Sequence, residues 1–150
     1  MDYNAFWEKV KVKGLEIGLE ENYFTYFKDN DSSFCRLSNV GLKRCSYLMQ
    51  TEDQVGCFIE INHTNATWNK KIYDLVLSCR EELEIQIGVP LEFNEAELKF
   101  GICKHPKDHG LVFEVGTSSE EELAIHLLRC FYLMLEEVDH VVRNAMEEAY

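Results

Sequence analysis

The chain has 150 residues, 46% of them hydrophobic and 12% aromatic, with 15 basic against 27 acidic side chains and a formal net charge of −12. That length and apolar content suit one domain, 1–150, with its own core, and exclude a disordered tail. Two prolines and eight glycines exclude collagen-like and low-complexity chains.

A helix is expected over residues 4–20, capped by Asn4 or Asp2, with Tyr3, Phe6, Trp7 and Val10 on one face. Gly14 and Gly18 weaken its second half. Tyr23 to Phe27 is a β-prone aromatic run, and residues 28–33 read as a loop. Phe34 to Leu37 is a short strand, Leu42 to Gln50 the next, and Val55 to Asn62 its antiparallel return. In the return strand Val55, Cys57, Ile59 and Ile61 face one side, while Gly56, Phe58, Glu60 and Asn62 face the other.

Residues 66–87 form the clearest helix, with Trp68, Ile72, Leu75, Val76, Cys79, Leu83 and Ile87 on one stripe. Gly88 suits the position just past its end, and Pro90 forbids continuation. Leu91 to Phe93 is extended. Glu97 to Cys103 alternates, with Leu98, Phe100 and Ile102 on one face. Residues 104–110 read as a loop and Leu111 to Val115 as the last strand.

The final helix starts at Ser118 or Ser119, each followed three residues later by a glutamate (Glu121, Glu122) in the capping-box spacing. It runs to about residue 148. Ala124, Leu127, Phe131, Met134, Val138, Val141 and Ala145 recur at alternating spacings of 3 and 4, and Leu128, Leu135 and Val142 add a flanking row. The added row makes the stripe wider than a coiled-coil seam, so packing across a sheet is expected. A homodimer through the 118–148 helix is the second expectation. The resulting fold is α+β, an antiparallel sheet of about five strands with helices on one face, in the order α-β-β-β-α-β-β-α.

The acidity is uneven. Residues 1–51 are neutral, while 52–117 and 118–150 each carry a net −6. Such a chain is repelled by phosphate backbones, so direct nucleic-acid binding is not expected. No apolar run reaches the ~18 residues of a membrane span. The opening Met1-Asp2-Tyr3-Asn4 lacks the basic-then-apolar order of an export signal, so a cytoplasmic protein beginning at Met1 is expected. The six cysteines then read as free thiols rather than a disulfide framework.

Two clusters invite chemistry. Cys103, His105 and His109 form the only metal-like spacing, but a fourth ligand is missing and two lysines share the loop. Glu97-Leu98-Lys99 on a strand matches half of a metal-dependent nuclease signature, with Glu60 or Asp74 as the upstream acid. Nucleophile motifs and glycine-rich phosphate loops are absent. His126 and His140 read as polar positions on the last helix, and Trp7 and Trp68 as core. No catalytic, cofactor or metal residue is therefore assigned, and a non-enzyme is expected.

The run Phe58-Ile59-Glu60-Ile61-Asn62, then Asn69-Lys70-Lys71-Ile72-Tyr73-Asp74-Leu75, Arg80-Glu81-Glu82-Leu83-Glu84 and Ile87-Gly88-Val89-Pro90-Leu91-Glu92-Phe93 resembles an uncharacterised prokaryotic α+β domain family. Members often form the C-terminal part of restriction-type nucleases and also occur alone. Val55-Gly56-Cys57 departs from the family's basic strand residues. The family's nuclease residues belong to the other domain, so none carry over. What the resemblance implies is an accessory or binding module in a nucleic-acid-linked or host–virus defence setting.

Three functions follow as expectations. The first is a non-catalytic protein-interaction module that recognises a protein partner by its surface, accessory to a nucleic-acid-processing or defence system. The second is a small acidic phage-type inhibitor that mimics phosphate charge to block a nucleic-acid enzyme. The third is a metal-dependent nuclease built on Glu60, Glu97 and Lys99.

Overall fold

A computed structural model describes residues 1–104 and 119–149. The first helix, α1, spans Tyr3–Glu16, capped by Asp2, whose carboxylate accepts from the Ala5 amide at 3.2 Å. It buries Phe6, Trp7, Val10 and Gly14. It stops short of the expected residue 20 because Gly18 turns left-handed at φ 90°. Gly18 N then donates to Leu15 O and Leu19 N to Gly14 O, the paired bonds that close a helix C-terminus.

The aromatic run at 23–27 is not a strand. Glu21–Phe24 forms a 3₁₀ turn. Residues three apart line up on one side of such a turn, so Phe24 and Phe27 both enter the core, edge to face at 4.9 Å. Phe27 also meets Trp7 edge on at 5.5 Å.

Five strands follow: β1 Phe34–Leu37, β2 Cys45–Gln50, β3 Gly56–Ile61, β4 Glu92–Asn94 and β5 Lys99–Ile102. They form one antiparallel sheet ordered β1-β2-β3-β5-β4. The α+β reading with five antiparallel strands holds. β2 begins three residues later than expected, because Gly41 and Arg44 take positive φ in the loop before it. The register aligns Cys35, Met49, Cys57 and Ile102 in one row, and Leu37, Tyr47, Ile59, Phe100 and Phe93 in the next. Both rows belong to the main core or pack on it. The opposite face carries Arg36, Leu48, Phe58 and Gly101 in one row and Ser46, Glu60, Lys99 and Asn94 in another.

The expected 66–87 helix is two helices, α2 Ala66–Ser78 and α3 Arg80–Ile87. Asn65 caps the first by accepting from Trp68 N at 3.0 Å. The break falls at Cys79, whose backbone (φ −95°, ψ 3°) leaves the helical well and whose N–H reaches back only three residues, to Val76 O. Gly88 ends α3 at φ 83°, as its placement implied.

The last helical rod comprises α4 Glu120–Leu133, a π turn at Met134–Val138 and α5 Asp139–Ala149. Ser119 and Glu122 complete the expected capping box. α4 crosses the inner sheet face, where Phe131 stands edge on to Tyr47 at 5.5 Å and to Tyr23 at 5.7 Å. The heptad stripe is therefore core. The π turn holds one extra residue, which advances the stripe. Beyond it Val142, rather than Val141, is fully buried, beside Val138 and Ala145. Tyr47 OH donates to Asp139 at 2.6 Å, and Arg143 links Asp139 to the Val40 and Gly41 carbonyls. The expected strand at 111–115 and the loop before it lie outside the described residues, apart from Lys104. No helix among the described residues is long and apolar enough to cross a membrane.

Candidate functional site

Two surfaces compete for a functional role. The first is the outer sheet face, where β3 and β5 set Glu60 directly opposite Lys99. Both line a cleft of about 380 Å³ with Arg36, Gln50 and Glu97. The three residues of the nuclease expectation are thus brought together, and Asp74 is not among them. Glu97 sits in the β4–β5 turn rather than on the strand, because Leu98 takes φ 49° and ends the pairing.

Two of the cleft's four carboxylates are paired within the chain, while Glu52 and Asp53 add negative charge at its edge. Glu60 accepts from Arg36 at 3.1 Å, and Glu97 pairs with Lys99 at 2.7 Å. Lys99 is 9% exposed; its ammonium also donates to Gln50 Oε1 at 2.9 Å and stands 5.3 Å from the centre of the Phe58 ring. Gln50 in turn donates to the Gln54 carbonyl at 2.6 Å. A buried ammonium requires such partners, and here they are supplied from within the chain. The ion pairs hold the sheet's outer face together. They engage both carboxylates that the nuclease expectation named, Glu60 and Glu97.

Among the described residues no three His, Cys, Asp or Glu side chains converge to hold a metal ion. Cys103 is partly buried; His105 and His109 of the metal-like loop lie outside the described residues. His126, read from sequence as a polar surface position, is instead 1% exposed. Its Nε2 donates to the Val55 carbonyl at 3.0 Å and lies 3.6 Å from the Cys130 thiol. Amphipathic spacing could not distinguish a histidine facing solvent from one placed over a strand carbonyl.

All six cysteines are free, and four of them, Cys35, Cys45, Cys57 and Cys130, are buried. Burial pushes the thiols of Cys35, Cys45 and Cys103 up to about 12 and those of Cys57 and Cys130 up as well. An unfolded thiol ionises near 8.5, so above that pH the native state holds protons that the unfolded state releases. The stabilisation is complete below about pH 8.5 and is lost as pH rises toward the folded values. Urea midpoints are therefore expected to fall steadily from pH 8.5 to 11, and a Cys45→Ala, Cys57→Ala variant should show a shallower fall.

The second surface lies between α1 and α4. Ile17 is 62% exposed and Tyr132 50%, the largest apolar exposures along this seam. Between them runs a cavity of about 330 Å³ lined by Ile17, Leu19, Leu128, Tyr132 and Leu133. A neighbouring hollow shares Arg129 with it, continues it to Ile125 and adds Lys13 and Glu16 at its rim. The Gly18 turn builds this groove, since ending α1 early leaves Ile17 and Leu19 over α4 instead of continuing a helix away from it. Sequence periodicity placed Ile17 inside a helix and assigned it no face. The signal present was Ile125 and Tyr132, seven apart and off the core stripe.

No protein-family model, no curated protein and no solved structure matches this chain.

Proposed function

We propose that this protein is a non-catalytic interaction module that seats another polypeptide in the α1/α4 groove. The observation that carries this reading is a contiguous apolar seam, Ile17, Leu19, Ile125, Tyr132 and Leu133, left exposed or half-exposed on a molecule whose other large apolar side chains are mostly buried. Contiguous seams of this kind, rimmed by polar side chains, are docking surfaces more often than single exposed residues are. The pairing of Glu60 with Arg36 and of Glu97 with Lys99 favours a structural role for those residues and so supports the groove over a hydrolytic site. The resemblance to the prokaryotic α+β domain family supports an accessory role beside a nucleic-acid-processing or defence enzyme.

The test is capture by a Tyr132→Glu bait against the wild type, both in molar salt. Tyr132 is half exposed, so the variant should fold. Wild type is expected to retain a bound polypeptide, including untagged copies of itself, and the variant to lose it. Equal retention by both would remove the groove from the account. Capture at low salt alone would instead favour the acidic inhibitor that mimics phosphate charge.

A further inference from the structure

Independently of the α1/α4 groove, we infer that residues 39–44 form a strap that opens as a unit while the rest of the fold stays intact, and that the guanidinium of Arg143 is the latch that holds it shut. The strap joins β1 to β2. Its ends are fixed. The Ser38 and Asn39 side chains donate to the Asn22 carbonyl at 2.7 and 3.0 Å, and the Arg44 carbonyl accepts from Asn62 N at 3.2 Å. Between those ends, among the described residues, every hydrogen bond to residues 40–43 comes from one side chain. Arg143 donates to the Val40 carbonyl at 3.2 Å and to the Gly41 carbonyl at 3.1 Å.

The inner side of the strap is thinly packed. It borders a hollow of about 470 Å³ together with Tyr26, Cys45 and Tyr47. Val40 and Leu42 are only partly buried, and Gly41 and Lys43 are exposed. Asn39, Gly41 and Arg44 take φ of 58°, 90° and 70°, so closure keeps two residues that carry a Cβ in the left-handed region. Few hydrogen bonds, partial burial and backbone strain place a segment at the low-stability end of a fold.

Gly41 makes the latch possible. A Cβ there would lie 3.0 Å from Arg143 Nη2, so glycine lets the guanidinium rest against the chain. Asp139 pairs with the Nε of Arg143 and also accepts from Tyr47 OH at 2.6 Å. It opens α5 directly after the π turn. Closure therefore ties the β1–β2 connection to the helix register that the extra residue of the π turn sets.

Alkylation by iodoacetamide, followed over time at each cysteine by peptide mass, tests the strap. Cys45 is 7% exposed and borders the hollow. Burial, and after it the Asp139 carboxylate, pushes its thiol up to about 12, so the closed state reacts slowly. Cys57, fully buried in the sheet, reports unfolding of the whole domain. In wild type Cys45 is expected to react at least tenfold faster than Cys57, and Arg143→Gln should widen that ratio tenfold or more. Arg143 is half-exposed, so the variant should fold. Gly41→Ala, which crowds the guanidinium, should widen the ratio too and serves if Arg143→Gln misfolds. A wild-type ratio below tenfold overturns the strap, because Cys45 would then be uncovered only as the domain unfolds. A ratio that the variants leave unmoved overturns Arg143 as the latch.

Discussion

Phe131→Glu is expected to yield no folded protein. Phe131 is fully buried, its ring held edge on between Tyr47 and Tyr23 beneath α4. A carboxylate placed there meets no partner, and burying one unpaired costs more than a domain of this size has to lose. The milder Phe131→Ala should fold with a loss of about 3–5 kcal/mol, the usual consequence of emptying a phenyl-sized core position. Urea unfolding followed by circular dichroism measures both. The experiment also decides between two meanings of the heptad spacing on this helix. Had the stripe formed a dimer seam, the glutamate variant would be a folded monomer.

Gly101→Ala is the second large effect. A Cβ at this position would lie 2.2 Å from the Cys57 carbonyl oxygen and 2.7 Å from Phe58 Cα, so β3 and β5 would have to separate. Both obstacles are backbone, and neither can swing aside. The cost is expected at or above the upper end of the ~1–3 kcal/mol typical of overpacked cores. Gly18→Ala provides the contrast. It meets nothing within 4 Å, and only its left-handed φ of 90° opposes the methyl group. A loss of about 1–2 kcal/mol is expected there, by the same urea measurement. If Gly101→Ala were the milder of the two, the close β3–β5 approach would be wrong.

Much of this architecture was legible in local pattern. The alternation from Val55 to Ile61 showed which residues of β3 share a face, because a strand's period of two fixes that, but the single buried face it suggested is two: Gly56 and Phe58, opposite Cys57 and Ile59, are buried as well. Ser119 with Glu122, and Gly88 before Pro90, marked helix ends because their side-chain and backbone chemistry is local. Features that depend on distant packing were not legible. The aromatic run at 23–27 has strand propensity but no strand partner, and burying Phe24 and Phe27 together selects a 3₁₀ turn instead. The stripe over 66–87 continues smoothly through Cys79, so nothing in its spacing announced the break. The π turn showed only as the displacement of burial from Val141 to Val142.

The candidate sites divide in the same way. Glu97 and Lys99 were visible as a local motif, but their meeting with Glu60 depends on the β3–β5 register, and the charge matching by Arg36 depends on β1. The groove needs α1 to end at residue 16 and α4 to lie beside it, a juxtaposition of segments more than a hundred residues apart. Ile17 and Tyr132 carry no mark of that meeting in their own neighbourhoods.

The central claim is that recognition here is apolar and seated between α1 and α4. The most direct measurement is the capture test repeated as a salt series from 0.05 to 1 M, a range over which the screening length shortens from roughly 14 to 3 Å. The groove predicts retention of a polypeptide that holds or rises with salt, and that Ile17→Glu abolishes at every salt concentration. Retention that falls tenfold or more across the series, or that Ile17→Glu leaves untouched, would contradict it.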